Sequence, residues 1–196
     1  FYNLVIDEDV NLMSNIEISG VLTLNTGVFA LNENSLLIKS DSMSTGSIYH
    51  NSGSVSGDVT LQRYLKYNDN SAGWHYISSP ISGGDYNQLD DDKDLIGFGN
   101  GPQDNPWPNV MNYDESNINA GTYNGWYGPS SITQVINPME GLVLFLERED
   151  LLIDFTGTVN NGTFSRGLTN TNSGNSLEDG WNFIGNPYPG LIDWDL

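Results

Sequence analysis

Short pairs of apolar residues recur through the first forty residues, and a single residue of variable character separates the two members of each pair. The pairs are Leu4/Ile6, Val10/Leu12, Ile16/Ile18, Leu22/Leu24, Phe29/Leu31 and Leu36/Ile38. Their starting points lie six or seven residues apart, and Asn, Ser and Gly fill the gaps. This step favours very short strands, three to a coil of roughly 18 to 21 residues, in a parallel β-helix.

A parallel stack of this kind predicts a register. It places Leu4 under Leu22, Val10 under Phe29 and Ile16 under Leu36. An antiparallel meander also produces alternating apolar residues, and it remains the alternative, although it does not explain the regular step. Because each coil buries its apolar edge only against a neighbour, we expect further coils before residue 1 or another domain over the open end.

A Ser/Gly-rich stretch at residues 52–57 ends the repeat, and longer strand patterns follow it. We therefore predict two units, a short-strand β-solenoid over residues 1–57 and a β-sandwich of jelly-roll type over residues 58–196. Strands are expected from Val59 to about Leu65 and at residues 74–77, 142–146, 153–155 and 181–184. The run at 142–146 shows no alternation, which predicts burial on both faces near the middle of the fold.

Two strings in the second unit resemble each other. Gly73-Trp74-His75-Tyr76-Ile77-Ser78-Ser79-Pro80 matches Gly180-Trp181-Asn182-Phe183-Ile184-Gly185-Asn186-Pro187 in the positions of its Gly, aromatic, Ile and Pro residues. In each string the aromatic residues lie two apart, and proline ends the pairing because it has no backbone donor. We predict paired, similarly placed strands in which Trp74 and Trp181 have structural roles.

Composition and charge exclude several kinds of function. The formal charge of −19 makes nucleic acid a poor partner, since phosphates would be repelled. The chain has no cysteine and two histidines, so thiolate and imidazole-rich metal sites are not expected. The first ten residues lack the pattern of a signal peptide, and no apolar run is long enough to insert in a membrane. We expect an internal piece of a processed, soluble polypeptide.

The two matching strings, together with Gly57-Asp58-Val59-Thr60-Leu61-Gln62-Arg63-Tyr64 and the closing Gly-Trp-Asn-Phe-Ile-Gly-Asn-Pro-Tyr-Pro string, give the chain a family resemblance. It is similar over nearly its whole length to a recurring region of large secreted proteins of the Bacteroidetes. The resemblance implies export by type IX secretion, a place on the cell surface or in the medium, and a sorting domain beyond residue 196. Such proteins include adhesins and gliding-associated surface proteins.

The same resemblance implies a modification. Those bacteria O-glycosylate Asp-Ser/Thr-apolar tripeptides, and Asp41-Ser42-Met43 fits that pattern. A sugar needs an exposed loop as its acceptor, so the expectation is that Ser42 lies on one.

Alternating acids at Asp90, Asp92 and Asp94 have the spacing with which a calcium-binding loop wraps one ion. The glycine expected at the sixth position is Leu95, and no glutamate stands at the twelfth. A solvated acidic loop and a calcium site are both compatible with the residues. Calcium is the only cofactor that the sequence suggests.

Aromatic residues with polar edges lie in the long Gly/Asn-rich segment at residues 97–131, chiefly Trp107, Tyr123, Trp126 and Tyr127. Such rings can stack on sugars or on a partner protein, and they can equally fill the open end of a sandwich. The sequence leaves both interpretations open.

Motifs for bond-making chemistry are lacking. Neither His50 nor His75 accompanies a nucleophile motif, and acidic residues are too numerous for a catalytic pair to stand out. Arg63, at the junction of the two units, is expected to pair with a carboxylate or carbonyl there. We expect a non-catalytic structural or adhesive module whose partners are secretion or cell-surface proteins or surface glycans. A carbohydrate-binding module and a glycan-processing enzyme are the alternatives.

Overall fold

The protein is all-β. A computed structural model describes residues 1–67, 73–117, 125–172 and 179–193. Its strands are β1 (Leu4–Ile6), β2 (Val10–Asn11), β3 (Ile16–Ile18), β4 (Val21–Leu24), β5 (Val28–Ala30), β6 (Leu36–Ile38), β7 (Ser47–His50), β8 (Ser54–Ser56), β9 (Val59–Leu65), β10 (Trp74–Ile77), β11 (Val110–Tyr113), β12 (Trp126–Tyr127), β13 (Leu142–Phe145) and β14 (Leu151–Gly157). Helical structure in these ranges amounts to α1 (Asn87–Asp90) and a 3-10 turn (Glu115–Asn117).

The first nine strands form three parallel ladders, ordered β1-β4-β7, β2-β5-β8 and β3-β6-β9. The register predicted from the repeat is confirmed: Leu4 pairs with Leu22, Val10 with Phe29 and Ile16 with Leu36. Between the ladders lies an apolar interior that includes the fully buried residues Ile18, Leu22, Leu24, Leu36 and Ile38. The parallel pairing excludes the antiparallel meander for this part of the chain.

The ladders contain a third layer that the apolar pairs did not predict. Ser47–His50 pairs in parallel with β4, and Ser54–Ser56 pairs in parallel with β5. Each of these strands has a single strongly apolar inward residue, Ile48 or Val55, so neither contains the pair of apolar residues that marks the earlier strands.

Strand β9 belongs to both predicted units. It pairs in parallel with β6, where Leu36 lies beside Val59, and antiparallel with β14 along its whole length. The sheet β14-β9-β6-β3 is therefore continuous across residues 57 and 58, where we predicted a boundary. The division into two domains stays a prediction.

A second sheet, ordered β10-β13-β11-β12, contains the remaining strands apart from β14. The apolar run at 142–146 forms its β13, which lies between β10 and β11. Leu142 and Leu144 are fully buried and Val143 is nearly so, as the lack of alternation predicted. Residues 97–131, which we treated as one long connection, contribute β11 and β12 to the same sheet.

The prediction of a strand at residues 181–184 is wrong. The described chain there forms one isolated bridge, between Ile184 and Glu140. The Trp181 side chain is 65% exposed and is therefore not part of the buried core. The free edges of the second sheet are at β10 and β12, and the described part of this segment adds no strand to either. The Asn182 side chain instead donates to the backbone oxygens of Thr169 and Gly180.

No helix within the described ranges has the length and apolar character that crossing a bilayer requires.

Candidate functional site

One face of the second sheet is covered by large, mostly aromatic side chains. Side chains alternate between the two faces of a strand, so the register decides which residues share a face. Trp74 lies opposite Phe145, and Tyr76 lies opposite Val143. Tyr113 lies opposite Trp126 at the far edge. We call this surface the aromatic face, and it comprises Trp74, Tyr76, Met111, Tyr113, Trp126, Val143 and Phe145, joined by Trp107 and Phe183 from the adjoining segments.

The rings of the aromatic face form two clusters. In the first, Trp107 packs edge-to-face on Trp74 and on Phe145, with centroid distances of 5.7 and 5.1 Å. In the second, Phe183 packs against Tyr76 at 5.4 Å and against Trp126 at 5.7 Å. Edge-to-face contacts add about 0.5–1.5 kcal/mol per pair beyond the buried area, so each cluster fixes the orientation of its rings.

A groove of about 350 Å³ lies on the aromatic face. It is lined by Trp74, Tyr76, Pro102, Trp107, Met111, Trp126 and Val143. Among these lining residues there is no charged side chain. Tyr76 is 73% exposed, so much of its ring is free to meet a ligand.

The opposite face of the sheet is held by a buried chain of hydrogen bonds. The Tyr86 hydroxyl donates to Asn112 Oδ1 at 2.6 Å, and Asn112 Nδ2 donates to Glu140 Oε1 at 2.5 Å. The Asn137 backbone and side-chain nitrogens donate to Glu140 Oε2 at 3.0 and 2.9 Å. Burial, aided by the charge of Glu140, raises the pKa of Tyr86 far above its usual value. These contacts fix β11 from behind and occupy both oxygens of Glu140.

A second buried carboxylate anchors the segment that crosses the aromatic face. Glu115, which is 3% exposed, accepts from the Thr171 backbone nitrogen at 2.5 Å, the Thr171 hydroxyl at 3.0 Å and the Gly180 nitrogen at 2.9 Å. The donated bonds, led by that from the Thr171 backbone, hold the pKa of Glu115 at about 2. Glu115 is therefore ionised at neutral pH and fixes the chain three residues before Phe183.

The structure places the four predicted aromatic residues in different environments. Trp107 and Trp126 both line the groove, one in each ring cluster. Tyr127 lies beside Trp126 on the strand and so points to the other face, where burial raises its pKa. It is not part of the aromatic face, and its assignment as a binding residue stays a prediction. Tyr123 lies outside the described residues.

The three candidate calcium ligands, Asp90, Asp92 and Asp94, line one groove beside α1. Asp90 Oδ1 accepts from the Leu95 nitrogen at 2.8 Å, and Asp92 Oδ2 accepts from the Asp154 nitrogen at 2.7 Å. Within the described ranges no group of three or more acidic or histidine side chains is arranged to hold a metal ion. Each of these two side chains therefore stabilises the turn around α1 and its contact with β14.

Ser42 lies exposed in a tight turn, with Met43 90% exposed beside it. Asp41 Oδ1 accepts from the Met43 and Ser44 nitrogens at 2.7 and 2.9 Å, which holds the turn in shape. The position is accessible in the way that glycosylation requires, and the modification stays a prediction.

The predicted partner of Arg63 is not found. No hydrogen bond or ion pair joins its guanidinium to any described residue. The expected link across the junction is replaced by the backbone pairing of β9 itself. Trp74, in contrast, packs against Trp107 and Phe145 in the first ring cluster, and its structural role stays a prediction.

Several residues of the aromatic face were not singled out from the sequence, notably Tyr76, Met111, Phe145 and Phe183. The alternation Trp74-x-Tyr76 gave a signal for two of the face residues, since residues two apart share one face of a strand. The pairing partner of β10 was the missing information, because alternation does not identify which strand lies alongside. Comparison of the chain with protein-family models, curated proteins and solved structures gives no match.

Proposed function

We propose that this chain is a non-catalytic adhesive module of an extracellular bacterial protein, and that its aromatic face binds a glycan chain through uncharged sugar units. The observation that carries the proposal is the groove of about 350 Å³, which is walled by tryptophan and tyrosine rings and has no charged residue in its lining. Its volume falls in the range of about 300–1,000 Å³ that is typical of small-ligand sites.

Ring stacking supplies the attraction. A pyranose presents patches of C–H groups that pack on the face of an aromatic ring, and the polar edge of Trp or Tyr then hydrogen-bonds the surrounding hydroxyls. The rings are already held by edge-to-face contacts and a pleated sheet, so little side-chain entropy is lost on binding. An extended chain of sugar units fits a groove on a sheet face better than a globular partner does.

The negative charge of the protein favours neutral ligands over anionic ones. The formal charge of −19 opposes phosphate-rich polymers and densely anionic surfaces. With no charge in the groove, binding of a neutral unit incurs no cost for burying an unpaired ion. Nucleic acid is not a partner in this proposal.

The extracellular location in this proposal is taken from the resemblance in sequence. Secretion by the type IX route and a place on the cell surface or in the medium fit a module that binds glycans. We interpret the three parallel ladders as a short β-helix that carries the sandwich at the cell surface. Its partners are then surface glycans, with secretion or cell-surface proteins as neighbours.

Affinity electrophoresis through gels that contain neutral polysaccharides tests the proposal. We expect the wild-type chain to be retarded by at least one such polymer, Tyr76→Ala to be retarded less, and Trp126→Ala to migrate as in an empty gel. Trp181→Ala is the matched control, because Trp181 is exposed and lies outside the groove. Migration unaffected by any neutral polymer, or equal retardation of Trp126→Ala, would overturn the proposal.

A further inference from the structure

Arg63 occupies an unusual position for a cation. It lies on β9 between the inward residues Leu61 and Leu65, and its partner on β14 is the buried residue Ile153. Side chains two apart share a face, so the guanidinium stem projects from the same face as this apolar pair. The side chain is exposed, yet the surrounding protein removes enough water to lower the pKa of the guanidinium.

The Arg63 side chain lines a cavity of about 240 Å³ at the junction between β9, β14 and the segment after Gly185. Apolar walls come from Leu61, Ile77, Ile153, Phe155 and Pro189, and polar groups come from Gln62, Ser78, Asn186, Tyr76 and Tyr188. No acidic residue is among those that line it. Among the described residues Arg63 thus has no counter-ion, in a molecule whose formal charge is −19.

A guanidinium without a described counter-ion, in a cavity whose other lining residues are uncharged, is a recognition element for a planar anion. Its rigid fork of donors matches a carboxylate in two parallel hydrogen bonds. A carboxylate is also the anion that the charge of the molecule tolerates best, because it adds one negative charge beside a cation.

The cavity is also adjacent to the groove of the aromatic face. Tyr76 lines both spaces, so a ligand that reaches from one to the other passes its ring. Ser78 donates its hydroxyl hydrogen to the Asn186 oxygen at 2.6 Å, which leaves its lone pairs directed to accept from a ligand hydroxyl.

We propose that the Arg63 cavity binds the carboxylate of an acidic sugar unit, of the uronic acid class, in a glycan whose uncharged units lie on the aromatic face. This inference rests on the proposed function, which identifies the rest of the ligand as a glycan. The site itself depends on Arg63, and the groove depends on Trp126 and its neighbours.

Titration of the full chain with sodium glucuronate and with glucose, followed by protein NMR shifts, tests the inference. We expect glucuronate to bind more tightly than glucose and to shift resonances of residues around Arg63. Arg63→Gln is expected to weaken glucuronate binding by about tenfold or more, the loss typical of a charge-assisted pair, and Arg63→Lys to weaken it less.

Arg148→Gln is the matched control, since it removes the same charge from an exposed position outside the cavity. An unchanged thermal midpoint in Arg63→Gln shows that the variant is folded. Equal binding of glucose and glucuronate to the wild type, or equal glucuronate affinity in Arg63→Gln and Arg148→Gln, would overturn the inference. Either of those results would leave the proposed function intact, because binding of neutral polysaccharides depends on Trp126 and not on Arg63. Loss of neutral polysaccharide binding alone would instead overturn the proposed function.

Discussion

The Ser78 hydroxyl donates a 2.6 Å hydrogen bond to the backbone oxygen of Asn186, a residue 108 positions later in the chain. The bond joins the ends of the two similar strings, just before the proline of each. The buried Asn160 side chain strengthens the junction, because its Nδ2 donates to the Pro187 oxygen at 2.9 Å. The two strings are therefore in contact, although only the first forms a strand.

Replacing Ser78 by Ala should lower the free energy of unfolding by about 1–2 kcal/mol, since the Asn186 oxygen would lose its donor in a partly buried place. Urea denaturation measures the change. Ser165→Ala is the control, because Ser165 is exposed, and a shift of less than about 0.5 kcal/mol is expected there. Equal midpoints for the two variants would contradict the structural role of the Ser78 bond.

Replacing Leu22 by Ala should destabilise the parallel ladders. Leu22 is fully buried between Leu4 and Ile48, its neighbours in the layers on either side, and a cavity there costs about 2–5 kcal/mol. Thermal denaturation followed by circular dichroism checks this. Leu168→Ala, at a position 64% exposed, should change the midpoint little. A Leu22→Ala midpoint equal to that of Leu168→Ala would show that the ladders do not pack as described.

Replacing Gly141 by Ala should disturb the aromatic face. An added Cβ at this position would lie 2.9 Å from the Phe183 ring, so the ring must move, and overpacking of this kind costs about 1–3 kcal/mol. We expect a lower unfolding midpoint and a changed near-ultraviolet circular dichroism signal. Gly167→Ala, where nothing lies within 4 Å, provides the control. An unaltered aromatic signal in Gly141→Ala would place Phe183 elsewhere.

Acidification should remove the stabilisation that Glu115 supplies. Its folded-state pKa of about 2 lies below the ordinary value of 4.5, so its contribution is complete above about pH 4.5 and is lost as the pH falls towards 2. Other carboxyl groups titrate in the same window, so the informative quantity is the difference between wild type and Glu115→Gln. That difference in unfolding midpoint should be largest at neutral pH and shrink below pH 4.5. A difference that is constant from pH 7 to pH 2.5 would refute the assignment.

Intact-mass measurement of the protein from its native host tests the modification at Ser42. We expect a mass above that of the bare chain, and Ser42→Ala should remove the increment. The accessible turn that Asp41 holds is the physical basis for this expectation. A mass equal to the bare chain would dispose of it.

The parallel ladders could be predicted from the sequence because apolar pairs, beginning with those at Leu4, Val10 and Ile16, recur every six or seven residues, a step that few folds share. The third layer could not, since Ser47–His50 and Ser54–Ser56 contain one strongly apolar inward residue each. Their positions are set by the strands beneath them, through backbone hydrogen bonds that any residue can make.

The candidate site was predicted only in part, for two physical reasons. Trp107 and Trp126 were identified by residue type, whereas Tyr127, which was named with them, lies on the opposite face because neighbouring residues on a strand point to opposite faces. The similarity of Trp181 to Trp74 predicted a strand, but the described chain at residues 181–184 makes one isolated bridge, between Ile184 and Glu140. A local string does not specify which strand edge, if any, its segment pairs with.

Strand β9, shared by the ladders and by β14, has a practical consequence for anyone who makes pieces of this protein. A fragment that ends at residue 57 leaves the β6 edge uncovered, and one that begins at residue 58 leaves the other side of β9 uncovered. Unpaired edges of this kind recruit other chains and lead to aggregation. Soluble recombinant material therefore requires fragments that keep β6, β9 and β14 in one polypeptide.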